Sequence, residues 1–248
     1  MNNQRLFTYV IAKGDNLYHL SKKFETTVQS IMSHNPFINP YDLKAGSSIN
    51  IFAGKNYSAS AGGVKALRHN PEKEKGLSDK MRLAWSQHVY WTRMLLISIA
   101  QRLADQSDVT DRLLRNPKDI EGIFAEFYNK ETASAIARLL TEHLIIGAEL
   151  ITALRDGQTD EAKGLDGKWH KNADEMVGAF SSINPFFKYD EMRDMLYKHL
   201  ALTTEEVSMR LKKEYKKDIE AFDKAEKEAL SMADYFTRGI IEQFPQMF

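Results

Sequence analysis

No cysteine occurs among the 248 residues, which excludes disulfides, thiolate catalysis and cysteine-ligated metal sites and leaves the redox compartment open. Neither charge is in excess. Lys+Arg and Asp+Glu stand at 34 each, and no basic run is interleaved with aromatics, so nucleic acid is not an expected partner. No stretch approaches the roughly 20 apolar residues that a bilayer crossing needs. The opening MNNQRLFTYVIAKGDN breaks its short apolar run at Thr8 and adds Lys13 soon after, so the expectation is a chain made in the cytoplasm without a signal peptide. Phosphate-binding loops, dinucleotide glycine patterns, Gly-x-Ser-x-Gly and His-Glu-x-x-His are absent as well, and no hydrolase or transferase signature stands in their place.

What is present fits a folded protein of one large or two unequal domains, with 43% hydrophobic residues to fill a core. Composition shifts after residue 53. Residues 54–77, GKNYSASAGGVKALRHNPEKEKGL, combine small residues, paired glycines and a Lys/Glu run without periodicity, and read as a linker between domains at 1–53 and 78–248. Before it, Phe7 to Ala12 and Ser48 to Phe52 read as strands, and Asn16 to Phe24 and Thr27 to His34 as short helices. At the first turn Gly14 supplies the positive φ of a sharp exit from a strand, and Asp15 is placed to cap the helix that follows.

Beyond the linker the pattern is helical. Ser78 is placed to cap a helix running to about Gln106, with Trp85, His88, Thr92, Leu96, Ile99 and Leu103 on one face. Asn116 before Pro117 reads as an N-cap with proline at the first helical position. Further helices are predicted over about 131–155, ending at Asp156-Gly157, then about 160–182, 189–199 and 204–243. The whole is an α+β chain: a small βααβ module followed by an all-α antiparallel helical bundle.

The ordered series Tyr9-Val10-Ile11, Lys13-Gly14-Asp15-Asn16-Leu17, Leu20-Ser21, Phe24, Ile31, Asn35, Leu43-Lys44-Ala45-Gly46 and Ile49-Asn50-Ile51 resembles the LysM domain over about residues 7–53. Asn16 departs from the family's commoner Thr, and Tyr18-His19-Leu20 from a polar-Ile-Ala run. LysM domains bind N-acetylglucosamine-containing glycans such as peptidoglycan and chitin, and the resemblance implies that activity here. It also implies a shallow groove between two loops, which fall on Gly14, Asp15, Asn16 and Leu17 and on Phe37, Ile38, Asn39 and Pro40. The function that follows is non-catalytic attachment to peptidoglycan or a chitin-type oligosaccharide, tethering the helical domain to a bacterial envelope or spore layer. Self-association would add avidity on a polymer, so a homo-oligomer is consistent with the reading.

The helical part offers a constellation rather than a motif. His88, His143 and His199 sit on apolar faces of different predicted helices, Glu175 lies one turn from Asn172, and Asp234 lies near the face of Leu230, Thr237 and Ile241. Two readings stand. Neutral imidazoles and carboxylates converging in a bundle would suit zinc, iron or manganese, making a metal-binding bundle or an enzyme delivered to the wall. Alternatively each histidine bonds a neighbour and fixes packing, and no cofactor is needed. WSQHVYWTR, residues 85–93, offers an aromatic wall with Arg93 as a cationic anchor, although helical spacing turns Trp85 toward the core. The charge alternation of residues 205–228 reads as a solvated helix face. The aromatic end DYFTRGIIEQFPQMF either docks or offers a partner surface.

Overall fold

The computed structural model describes residues 6–36, 38–54 and 70–248. Two compact units divide them: one holds the described residues up to Lys75 together with Ile183–Phe186 and Arg238–Phe248, and the other holds Gly76–Ser182 and Phe187–Thr237.

In the first unit, β1 (Leu6–Val10), α1 (Leu17–Lys23), α2 (Val28–Ser33) and β2 (Ser48–Phe52) follow in the predicted order. The strands pair antiparallel with Phe7 opposite Ile51 and Tyr9 opposite Ile49. Phe7, Ile49 and Ile51 are buried against Leu17, Leu20, Phe24 and Ile31 from the helices. Spacing explains the helical share: Leu17, Leu20 and Phe24 recur at three and four residues and form one face. Aromatic edges complete the core, with Phe24 5.0 Å from both Phe7 and Tyr9.

The first turn corrects one expectation. Gly14 does adopt φ +92°, but the cap of α1 is Asn16, whose Oδ1 accepts from His19 N at 2.8 Å. Asp15 closes the turn instead, its Oδ2 accepting from Ala12 N at 2.7 Å and from the Tyr9 hydroxyl at 2.8 Å. A one-residue difference decides this, because only Asn16 stands at the extended position three residues before the amide it caps.

The second unit is built from α3 (Pro71–Gln101), α4 (Gln106–Leu113), α5 (Asn116–Phe124), α6 (Lys130–Arg155), α7 (Thr159–Ile183), α8 (Tyr189–Leu211) and α9 (Tyr215–Gln243), the end residues of α3, α7 and α9 belonging to the first unit. α3 begins at Pro71, seven residues before the predicted cap at Ser78, so the Lys/Glu run at 72–75 is a first helical turn and not linker. Proline suits a first turn because its missing N–H is needed by no partner there. Residues 55–69 of the predicted linker lie outside the described residues. α6 matches its prediction closely: Asn129 caps it through Thr132 N at 2.8 Å, and Gly157 at φ +71° follows its end.

Two helix boundaries differ from the reading. Asn116 is buried inside α5, and Arg115 stands at the N-cap position without a side-chain bond. The predicted break between His199 and Thr204 does not occur. The Thr203 hydroxyl donates to His199 O at 3.0 Å, a turn that α8 accommodates, and the stop comes at Lys213 with φ +62°.

The interior has an aromatic end and an aliphatic end. Phe236 packs 4.7 Å from Phe180, 5.1 Å from Trp85 and 5.1 Å from Phe187. Leu95, Leu96, Ile99, Leu113, Leu144, Ile151 and Val207 form a separate apolar cluster.

The cap assignment is testable in the full chain. Asn16→Ala removes a cap worth about 1 kcal/mol, so the α1 amides should exchange with solvent roughly five times faster, while Asn16→Asp retains the protection. Unchanged exchange in Asn16→Ala would show that α1 does not depend on this cap.

Candidate functional site

The first unit carries a groove of about 410 Å³ between the loop after α2 and strand β2. Its geometry depends on Asn35. The Asn35 Nδ2 donates to Asn50 O and to Ile31 O at 2.7 Å each, and the Asn50 N–H donates to Asn35 Oδ1 at 2.7 Å. The amide side chain therefore pairs with β2 as a neighbouring strand would, and it holds the loop at the sheet edge. Ile38 N then donates to Asn35 O at 2.9 Å, and Tyr41 N to Asn39 Oδ1 at 3.0 Å, which fixes the loop's own shape.

The groove floor is aliphatic, from Ile11, Ile38, Leu43 and Ile49, and its rim carries Asn39, Asp42, Lys44, Ser47 and Ser48. Asp42 and Lys44 pair with each other at 2.6 Å, so the rim has little net charge. Such a surface suits a neutral, hydroxyl- and amide-bearing ligand better than an ionic one. Asn50 adds a buried Oδ1 that meets no hydrogen-bond partner.

Of the residues expected to touch a glycan, Ile38 and Asn39 line this groove, while Gly14, Asp15, Asn16, Leu17 and Pro40 do not. Leu17 is a core residue at 4% exposure, and the side chains of Asp15 and Asn16 are occupied by the turn and the cap. Phe37 lies outside the described residues. Sequence reasoning missed Ser47, Ser48, Asn50 and Phe244. The last comes from the far end of the chain, where no local signal marks it.

In the second unit the three histidines do meet. The His199 ring lies 5.7 Å from His88 and 6.1 Å from His143, and Trp169 packs 5.1 Å from His143. Two asparagines set the ring states. Asn116 Nδ2 donates to Ala84 O at 2.8 Å, which turns its Oδ1 toward His88 Nδ1 at 3.2 Å. Asn172 Nδ2 likewise donates to Leu139 O at 3.2 Å and faces its Oδ1 to His143 Nδ1 at 2.9 Å. A carbonyl oxygen only accepts, so both imidazoles carry their proton on Nδ1 and leave Nε2 as a bare lone pair.

His143 Nε2 and His199 Nδ1 are buried without a hydrogen-bond partner. Two cavities of about 30 Å³ flank the rings, each bordered by all three histidines. Burial lowers all three pKa values, that of His143 to about 4, so the cluster is neutral near pH 7.

The carboxylates expected beside the histidines are elsewhere. Glu175 pairs with Lys171 at 3.7 Å, and Asp234 with Arg82 at 2.7 Å, both on the surface. Helical phase explains this: the core positions of α7 are Trp169, Asn172, Ala173 and Met176, with Glu175 turned away. Among the described residues no group of three or more His, Asp or Glu side chains is arranged to hold a metal ion.

The stretch expected to be a solvated face also hides buried charge. Arg93 reaches Glu206 at 2.5 Å and Asp218 at 2.6 Å, and Arg210 reaches Asp218 at 3.1 Å. Glu206 is 3% exposed and Asp218 fully buried. Arg93 also lies 4.7 Å over the Phe222 ring, so it is a cationic anchor, but for helix packing. Burial pushes the Glu206 carboxyl up to about 7 against the opposing pull of Arg93.

Residues 9–52 match the model of the LysM domain family, and a largely helical region without a named family follows. Neither the curated proteins nor the solved structures compared with the chain give a match. No helix among the described residues is long and apolar enough to cross a membrane.

The His143 shift has a definite sign. Between pH 6.5 and about 4 the unfolded chain takes up the proton that buried His143 refuses. Stability from this group is therefore complete above pH 6.5 and falls by up to about 3 kcal/mol as pH drops toward 4. Glu206 acts oppositely, losing stability as pH rises from 4.5 through about 7, so the wild-type profile is a composite. Urea midpoints of wild type and His143→Gln at pH 7, 6 and 5 isolate the histidine: the wild-type curve should fall more on acidification. Parallel curves would mean that His143 titrates normally.

Proposed function

We propose that the LysM module binds the N-acetylglucosamine-containing strands of peptidoglycan without cleaving them, and that the helical unit is the cargo it tethers to a bacterial envelope or spore layer. A LysM domain implies binding of peptidoglycan or a related glycan. The groove supports that reading by its chemistry: an aliphatic floor for sugar rings, amide and hydroxyl groups at the rim for N-acetyl and hydroxyl groups, and paired rim charges. Ligand contact falls on Ile38, Asn39 and the Ser47–Asn50 edge, with Gly14, Asp15 and Asn16 shaping the turn behind it.

Sedimentation of the full chain with insoluble peptidoglycan tests this reading, with insoluble chitin in parallel. Wild type should pellet with peptidoglycan. Ser48→Trp fills the groove from an exposed position and should weaken retention about tenfold, a loss of about 1.4 kcal/mol. Wild type remaining in the supernatant, or Ser48→Trp pelleting as well as wild type, contradicts the proposal.

A second reading, a metal-binding bundle delivered by the module, draws on the bare nitrogens of His143 and His199. It requires the rings to move together. Elemental analysis of purified protein distinguishes the two: stoichiometric zinc, iron or manganese that disappears in His88→Ala and His143→Ala supports the second reading, and metal-free protein removes it.

A further inference from the structure

We infer that Phe244, placed in the module's groove by the last turn of α9, is a sugar-stacking residue, so that the glycan site is completed by the C-terminus. The inference rests on the glycan-binding reading above and names a contact outside the LysM match at residues 9–52.

A groove that binds a pyranose needs more than hydrogen bonds, because each polar group exchanges water for sugar at little net gain. The gain comes from the flat C–H face of the ring laid on an apolar surface, and a rigid aromatic plane offers the most area for the least lost entropy. Other aromatic rings of the module lie in its core, beside the groove or away from it. Phe7, Tyr9 and Phe24 pack on one another in the core. His34 borders the groove, yet its ring stacks on Phe52 at 5.2 Å and its Nδ1 lies 2.6 Å from Ser30 O. Tyr41 is 96% exposed on the loop but does not line the groove. Phe244 is the one Phe, Tyr or Trp among the residues described as lining it.

Its position is fixed by bonds on both sides. Gln243, 1% exposed, donates from Nε2 to Ile183 O at 2.8 Å, and its carbonyl accepts from Asn50 Nδ2. The residue before Phe244 is thus bonded to the same β2 residue that Asn35 clamps. Phe244 N donates to Ile240 O at 2.9 Å, Phe244 O accepts from Met247 N at 2.9 Å, and Pro245 ends the helix immediately after it. Lys73 Nζ donates to Met247 O at 3.0 Å, holding the tail beyond. Phe244 is half-buried.

The test uses full-length protein and a soluble N-acetylglucosamine hexamer, with affinity read by calorimetry. Phe244→Ala and the bulk-matched Phe244→Leu should each bind about tenfold more weakly than wild type, whereas Phe244→Trp keeps wild-type affinity within about twofold. Circular dichroism melts establish that each variant is folded. Wild type that fails to bind hexamer and peptidoglycan overturns the glycan reading and this inference together. Wild type that binds while Phe244→Ala or Phe244→Leu matches it overturns the stacking role alone and leaves the glycan reading standing. Weakening in Phe244→Trp equal to that in Phe244→Ala also overturns it, since a flat ring would then make no contribution.

Discussion

A sheet of two strands has two bare edges, and the amide of Asn35 covers the edge of β2. Through bonds of 2.7 Å to both the N–H and the carbonyl of Asn50, one side chain stands in for a third strand. The loop after α2 is held in place by this pairing, and the groove exists because that loop and β2 are kept at a fixed separation. A module with so few buried residues has little hydrophobic energy to spare, so directional bonds at the turn, the cap and the edge specify the shape that the core alone would leave loose. Asn50 then uses its own side chain on Gln243, which ties the C-terminal residues into the same unit.

The helical unit solves a different problem. It buries three imidazoles and a four-membered ion network, each costly unless compensated. Asn116 and Asn172 compensate two of the imidazoles by accepting one hydrogen bond each, which fixes the tautomer, while burial keeps the rings neutral. Arg93 and Arg210 compensate Glu206 and Asp218 by direct pairing across α3, α8 and α9. Among the buried atoms left without a partner are His143 Nε2 and His199 Nδ1, which sit beside cavities of about 30 Å³.

Periodicity made most of this architecture legible. The order strand, helix, helix, strand and the extents of α6 and α7 followed from apolar spacing together with cap and stop residues. Where reading failed, a single competing interaction won. Asn16 displaced Asp15 as a cap by standing one position closer to the amide it serves, and α8 ran on through Thr203, whose hydroxyl bonds back to His199 O without ending the helix. Asn116 read as a cap because of Pro117, yet Arg115 holds that position and Asn116 is the first residue of α5, its amide bonding Ala84 O and facing His88. The convergence of the histidines was readable from their apolar faces, whereas the absence of carboxylates beside them was not, since helical phase over a long helix decides which way Glu175 points. Arg93 was read as a cationic anchor, but its buried partners Glu206 and Asp218 were invisible because charge alternation looks the same whether a partner helix covers it or water does. In the groove, the loop after α2 was anticipated, but Phe244 lies some two hundred residues from it in sequence.

Recognition of a neutral glycan at the Asn35-clamped groove is the claim on which the rest turns. Its most direct measurement is a titration of the N-acetylglucosamine hexamer into isotope-labelled full-length protein, following backbone amide shifts. The account predicts changes concentrated at Ile38, Asn39 and Ser47 to Asn50, with the amides around His88, His143 and His199 unmoved. Shifts confined to the helical unit, or to Gly14 through Leu17 with the groove silent, would contradict it.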